Sequence, residues 1–103
     1  MSGTIKVYSG DRTIDGVVVQ VDGTKFRANE PEERNFEWGY EGTSPLELSR
    51  AILTDHLGDA RRAESLATPF MREVVANFAN EWQMTSDDID LALKVIFARP
   101  TAD

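Results

Sequence analysis

The sequence predicts an α+β fold in which a small antiparallel β-sheet packs against three to four C-terminal helices. Residues 5–42 contain short segments in which apolar and polar residues alternate, as in strands, whereas apolar residues in 44–99 recur at helical spacing. Turn and helix-capping residues separate these segments. Strands followed by helices are typical of a two-layer α+β domain. The 103 residues have the length of one domain, so we expect a single domain over residues 1–103.

An N-terminal β-hairpin is predicted around Asp22-Gly23, which lies between two strand-like segments. This dipeptide favours a type I′ turn, because both central residues of that turn need positive φ. The turn fixes the register of the two strands, and a slip by one residue would turn the valines away from the core. The residues assigned to the core face pair as Val21 with Thr24, Val19 with Phe26, and Val17 with Ala28.

Two more strands are predicted, one on either side of the hairpin. Ile5–Tyr8 alternates apolar with polar residues and is followed by a turn-like cluster at Ser9–Asp11. Phe36–Gly42 carries three aromatic residues that alternate with Glu and Gly, which we interpret as a strand with one aromatic face. The charged residues 29–35, which include a proline, predict an exposed connection between the hairpin and this aromatic strand.

Capping residues predict where the first two helices begin and end. The first helix is expected to begin at Ser44–Glu47, where a capping Ser is followed by Pro and Glu, and to end at Gly58. Asp59 is expected to cap a second helix that ends near Leu66. Thr68-Pro69 then predicts either a further helix or a kink.

A last helix is predicted after Thr85–Asp88, because a capping Thr and acidic residues in the first turn suit the positive end of the helix dipole. The helix is expected to end before Pro100. The residues that precede it, Trp82–Met84, alternate in polarity and predict either a short strand or an extended link.

The composition excludes several classes of site. The chain has no Cys and one His, which excludes disulfides, thiolate metal sites, a Cys nucleophile and metal sites that need two His from one chain. Its net charge of −7 argues against direct binding to nucleic acid, because phosphate binding needs Lys and Arg. We therefore expect no cofactor, no metal and no direct nucleic-acid contact.

The sequence predicts no targeting or membrane segment. No apolar run approaches the ~18–20 residues of a membrane span or the ~7–15 residues of a signal-peptide core. Together with the lack of Cys, this predicts a soluble cytoplasmic protein that makes no contact with a membrane.

Acidic residues are concentrated in two parts of the chain, and two interpretations are open. They would form a negative surface that docks on a basic protein partner, such as a nucleic-acid-binding groove, by imitating phosphates. Alternatively, they are a solvated surface that keeps a small domain soluble. The candidate partner-binding residues are Glu30, Glu32, Glu33, Glu37, Glu41, Asp87, Asp88 and Asp90.

A second candidate site combines the single His with aromatic residues. Asp55 would orient His56 as a general base, and Trp38 and Tyr40 would form the walls of a pocket. The alternative is structural, because a His in the last turn of a helix suits the helix dipole and alternating aromatic residues usually pack in the core. Spacing alone leaves both interpretations open.

The stretch from Phe36 to Gly58, FEWGYEGTSPLELSRAILTDHLG, resembles a family of small uncharacterised bacterial, archaeal and phage proteins. The similarity extends to Tyr8-x-Gly10 near the start and to Phe70–Val75 followed by Trp82. The resemblance implies a single-domain layout and an association with phages or mobile elements. It implies no catalytic residues and no cofactor.

These observations support three hypotheses about function. The leading one is a non-catalytic acidic protein-interaction module, such as a phage inhibitor of a host nucleic-acid-binding defence complex, in the manner of anti-CRISPR proteins. The alternative is a small-ligand-binding domain or minor enzyme that uses His56 and Asp55 with the aromatic pocket. The third is a homo-oligomer that is joined through a strand edge or an exposed face.

Overall fold

The computed structural model describes residues 5–14, 16–26 and 36–98. The exposed connection predicted at 29–35, the pairing of Ala28 with Val17 and the helix end before Pro100 lie outside these residues, wholly or in part.

The described residues form a four-stranded antiparallel sheet and three α-helices. The strands are β1 (Val7–Thr13), β2 (Gly16–Val21), β3 (Thr24–Lys25) and β4 (Trp82–Thr85). The helices are α1 (Thr43–Leu57), α2 (Ala60–Glu73) and α3 (Ser86–Ala98), and a 3₁₀ turn at Val75–Asn77 follows α2. The strand order in the sheet is β3-β2-β1-β4. The predicted α+β fold is confirmed.

One face of the sheet packs against the helices and forms the core. Tyr8 and Val19 contribute from the sheet, and Ile52, Phe70 and Ile89 contribute from the three helices. Each of these side chains is 5% exposed or less. The alternation of side chains along the strands leaves the other face of the sheet for polar residues.

The hairpin between β2 and β3 has the predicted turn and register. Asp22 and Gly23 have φ values of 54° and 82°, as a type I′ turn requires. The N–H of Phe26 donates to the carbonyl of Val19 at 2.9 Å, which continues the predicted pairing beyond the two residues of β3.

The predicted aromatic strand is wrong, because the chain bends at Gly39 and does not join the sheet. Gly39 has a φ of 88°, and its N–H donates to the carbonyl of Val75 at 3.0 Å. This bond ties the segment to the 3₁₀ turn. The fourth strand of the sheet is instead β4, so Trp82–Met84 is a strand and not an extended link.

The predicted turn at Ser9–Asp11 is also wrong, because all three residues lie within β1. Gly10 pairs with Trp82 across the β1–β4 ladder. A Cβ at Gly10 would overlap the Trp82 indole. Gly10 therefore allows a close approach inside a strand, which is a different use of glycine from a turn.

α1 begins two residues earlier than predicted, and no described side chain caps it. The N–H of Leu46 donates to the carbonyl of Gly42 at 3.0 Å, so Gly42 occupies the N-cap position. Ser44 therefore lies inside the first turn, and the prediction that it caps the helix is wrong. Gly58 ends α1 as predicted, in the left-handed conformation with φ 68°.

α2 is longer than predicted. The Asp59 side chain caps it by accepting two backbone N–H groups, at 3.0 and 3.2 Å. The helix then continues to Glu73, so the end near Leu66 and a separate helix at Pro69 are both wrong. Burial of the adjacent Phe70 keeps this turn against the core and outweighs the backbone hydrogen bond that proline cannot make.

α3 begins with the predicted cap. The N–H of Asp88 donates to Thr85 Oγ1 at 3.1 Å, and the N–H of Thr85 donates to Asp88 Oδ2 at 3.0 Å. This reciprocal pair is a capping box, with Asp in the position that Glu or Gln usually occupies.

Candidate functional site

The candidate site lies where β1 runs past the start of β4. The register of the β1–β4 ladder pairs Ser9 with Gln83 and Gly10 with Trp82. Trp82 is the first residue of β4, whereas β1 continues to Thr13. β1 therefore extends beyond its last residue pair with β4, and a notch lies beside this C-terminal end of β1.

This notch is a shallow depression of about 400 Å³. Its lining residues are two with carboxylates, one with a hydroxyl, one with an amide, a glycine and a tryptophan. The lining residues are Ser9, Gly10, Asp11, Glu81, Trp82 and Gln83. We call it the acidic depression.

Aromatic packing beneath the acidic depression holds Trp82 in place. The Trp82 ring stacks on Phe78 with centroids 4.3 Å apart, and it meets Trp38 edge-to-face at 5.7 Å. The absence of a side chain at Gly10 makes room for the indole. Among the described residues, no hydrogen-bond acceptor pairs with the buried Nε1 of Trp82. Trp82 is therefore the aromatic component of a lining that is otherwise mostly polar.

The carboxylates of Asp11 and Glu81 have no ion pair or side-chain hydrogen bond with any described residue. The β1–β4 ladder ends at Gly10 and Trp82, and Asp11 and Glu81 line the depression just beyond that end. Like charges that line one depression repel, and a cation placed between them would relieve the repulsion.

Arg12, the basic residue next to Asp11 in the sequence, makes its side-chain contacts with other residues. Its guanidinium contacts Glu37 at 2.6 Å, the Trp38 carbonyl at 2.9 Å and the Asn80 side chain at 2.8 Å. It also lies 4.9 Å from the centroid of the Trp38 ring. Successive side chains of a strand point to opposite faces, so Arg12 neutralises Glu37 and leaves Asp11 uncompensated.

The predicted acidic residues that the structure describes make separate contacts and do not form one cluster. Glu37 pairs with Arg12, and Glu41 lies 3.6 Å from Arg72. Their partners neutralise these two charges locally. The remaining predicted members of the acidic surface divide between α3 and the part of the chain that is not described.

On α3, Asp88 belongs to the capping box and Asp90 lies 2.7 Å from His56. Asp87 is exposed in the first turn of the helix, where a negative charge suits the helix dipole. Glu30, Glu32 and Glu33 lie outside the described residues.

His56 and Asp55 have different partners and do not form a pair. His56 Nε2 lies 2.7 Å from Asp90 Oδ1, so the contact joins the last turn of α1 to α3. Asp55 Oδ2 accepts from the Tyr8 hydroxyl at 2.6 Å and from Lys6 Nζ at 3.0 Å. Burial and the bond to Asp55 raise the pKa of Tyr8 well above its usual range, so this phenol stays neutral.

The two aromatic residues of the candidate pocket also lie in different environments. Trp38 is completely buried and its ring contacts Arg12 and Trp82, whereas Tyr40 is 49% exposed. The described contacts of Trp38 are therefore those of a core residue. They do not bring it together with His56.

Within residues 5–14, 16–26 and 36–98, no group of three His, Asp or Glu side chains is arranged to hold a metal ion. None of the helices in these ranges is long and apolar enough to cross a membrane.

Asp11 and Glu81 are absent from the predicted site residues. Asp11 falls in a segment whose serine and glycine predict a turn, and Glu81 precedes a segment whose strand character is ambiguous. The sequence carries no alternating signal there, because Ser9 to Arg12 includes no apolar side chain. The pairing of β1 with β4 has no local signal either.

A family model matches residues 8–95, which contain the acidic depression, the sheet except Val7, and the three helices except the last three residues of α3. The chain belongs to this family, which is described as a family of unknown function (DUF6166). The predicted resemblance to an uncharacterised family is confirmed to that extent. The size range, the phage and prokaryotic sources and the motif attributed to the family stay predictions. No curated protein and no solved structure matches this DUF6166 domain significantly.

Proposed function

We propose that this DUF6166 domain is a non-catalytic protein-interaction domain that binds a protein partner with a basic surface. The observation that carries the proposal is the acidic depression, where Asp11 and Glu81 face the same notch without a described basic partner. Two negative charges that have no described basic partner in their own chain favour binding of a positive charge from another molecule.

A Lys or Arg side chain of the partner fits the chemistry of the acidic depression. Its positive charge would lie between Asp11 and Glu81, and the Ser9 hydroxyl and the Gln83 amide oxygen add acceptors beside it. Arg donates in several directions from one planar group, so it would satisfy more of these acceptors than Lys does.

The net charge of the chain and the contacts of His56 and Asp55 support the same proposal. The net charge of −7 favours approach of a basic surface from a distance. The candidate catalytic residues His56 and Asp55 are engaged with Asp90 and with Tyr8 and Lys6, in contacts that join helices to each other and to the N-terminal strand region.

The finer form of the proposal concerns the identity of the partner. We infer that the basic surface is a nucleic-acid-binding groove of a host defence complex, which the carboxylates of this domain would occupy in place of phosphates. A phage or mobile-element inhibitor of this kind would compete with nucleic acid, so added DNA or RNA should displace the domain from its partner.

The experiment compares the wild-type domain with Asp11→Asn/Glu81→Gln as bait in affinity capture from a host lysate. A protein that the wild type retains is then purified, and its dissociation constant is measured at low and at physiological salt. We expect the double variant to bind at least about tenfold more weakly, and we expect wild-type affinity to fall with added salt.

Glu47→Gln/Glu64→Gln is the matched control, because it also removes two negative charges, from α1 and α2, where both carboxylates contact Arg50. It should retain the affinity of the wild type. An equal loss in the two double variants would reduce the effect to net charge, and an unchanged affinity in Asp11→Asn/Glu81→Gln would reject the acidic depression as the binding site.

A further inference from the structure

The outward face of α3 is the most apolar helix surface among the described residues. Ile89 and Leu93 are buried against the rest of the domain, whereas Leu91 and Val95 are 61% and 56% exposed. A helix turns by about 100° per residue, so Leu91 and Val95 lie on the side away from Ile89 and Leu93. Phe97 is also exposed, at 62%, but it lies about 120–160° around the helix axis from Leu91 and Val95 and belongs to a different flank.

Charges of opposite sign lie at the two ends of this face. Asp87 is in the first turn of α3, and Lys94 lies seven residues further along, so both belong to the same stripe as Leu91. Leu91 lies between them, four residues after Asp87 and three before Lys94. The face is therefore negative at its N-terminal end, apolar at its centre and positive towards its C-terminal end.

This pattern is complementary to itself when two copies of α3 run in opposite directions. A two-fold axis beside Leu91 would place Asp87 of each copy level with Lys94 of the other, and Leu91 against Leu91. Antiparallel helices also oppose their dipoles favourably. A parallel arrangement would instead set Asp87 against Asp87 and Lys94 against Lys94, which is repulsive.

We propose that α3 is a homodimer interface, in which it packs antiparallel against α3 of a second copy around a two-fold axis at Leu91. This surface is separate from the acidic depression, so the proposal does not depend on the proposed function. One helix face buries less than the ~1,200 Å² of a stable complex, so we expect a weak dimer that dissociates on dilution.

Sedimentation velocity over roughly 10 µM to 1 mM tests the dimer, because weak interfaces have dissociation constants in that range. The wild type should sediment increasingly as a dimer as its concentration rises. Leu91→Glu should raise the dissociation constant at least about tenfold, since it places a charge at the centre of an apolar contact. Leu91→Ser, which adds no charge near Asp87, should act in the same direction.

Ile14→Glu is the matched control, because Ile14 is 96% exposed in the connection between β1 and β2 and the variant adds the same charge. It should dimerise like the wild type. Far-UV circular dichroism on each variant checks that α3 is still folded.

A charge exchange tests the antiparallel arrangement. Asp87→Lys and Lys94→Asp should each weaken the dimer, and the double variant should restore it, because both cross-pairs are then re-formed with reversed signs. A wild type that stays monomeric, a dimer insensitive to Leu91→Glu, or a double variant no better than the single ones would overturn the proposal.

Discussion

Trp82 on β4 lies directly over Gly10 on β1, in the space that a side chain at Gly10 would occupy. This contact sets how close the two strands come at the acidic depression. It also connects the sheet to the aromatic cluster of Trp82, Phe78 and Trp38.

We expect Gly10→Ala to destabilise the domain by ~1–3 kcal/mol, because the added Cβ displaces a packed indole and not a flexible chain end. Urea unfolding followed by tryptophan fluorescence measures this change. Gly23→Ala is not a suitable control, because Gly23 has a φ of 82° and any side chain there would strain the backbone. Ser9→Ala in the same strand is suitable, and it should change the unfolding free energy by less than ~0.5 kcal/mol.

Tyr8→Phe should lower the unfolding free energy by ~1–2 kcal/mol at neutral pH, because it removes a 2.6 Å hydrogen bond to the Asp55 carboxylate. Urea unfolding of the variant and the wild type at the same pH measures the difference. Tyr40→Phe is the control, since Tyr40 is 49% exposed and should contribute little.

Tyr8 should also govern the stability of the domain in alkaline solution. The folded state holds Tyr8 neutral with a raised pKa, whereas the unfolded chain loses this proton near the ordinary value of 10.0. The unfolded state therefore binds fewer protons above that pH, and the free energy of unfolding falls as the pH rises, by up to ~1.4 kcal/mol per pH unit. Urea unfolding between pH 9 and 11 should show a smaller slope in Tyr8→Phe, and equal slopes would contradict this assignment.

Arg12→Lys should destabilise the domain by ~1–3 kcal/mol even though it keeps the charge. The guanidinium makes hydrogen bonds in several directions, to Glu37, Asn80 and the Trp38 carbonyl, and a Lys ammonium does not reproduce that planar arrangement. Thermal unfolding of Arg12→Lys and Arg12→Ala measures the difference. If the Lys variant were as stable as the wild type, charge alone would account for the contribution of Arg12.

Thr85→Ala should destabilise the domain by ~1 kcal/mol, because it removes the Oγ1 acceptor of the capping box at the start of α3. Thr85→Ser keeps that acceptor and should be close to the wild type. Hydrogen exchange at the amide of Asp88 reports directly on the bond, and it should be faster in the Ala variant only.

Several features that depend on neighbouring residues were predictable from the sequence, although the Ser44 cap was not among them. The turn at Asp22-Gly23, the end of α1 at Gly58, the Asp59 cap and the capping box at Thr85 each depend on residues within a few positions of one another. Their backbone requirements are local, so a single sequence contains them.

Features that depend on distant residues were not predictable. β1 and β4 are separated by most of the chain, and the turn-like composition of Ser9–Asp11 conceals a strand that β4 completes. Which acidic residues have a basic partner was not predictable either. Arg12 meets Glu37 and Asn80 only through tertiary folding, so the sequence gives no indication that Glu37 is neutralised while Asp11 is left open.

The position of β1 in the sheet also has a consequence for how the chain folds as it is synthesised. β1 leaves the ribosome well before β4, which is one of its two neighbours in the sheet and begins only at Trp82. Until then the β1 edge that β4 will cover is unpaired, and the indole that fills the space above Gly10 has not been made. We therefore expect closure of the β1–β4 ladder to be a late and slow step, and nascent chains that end before β4 to be the species most prone to aggregation.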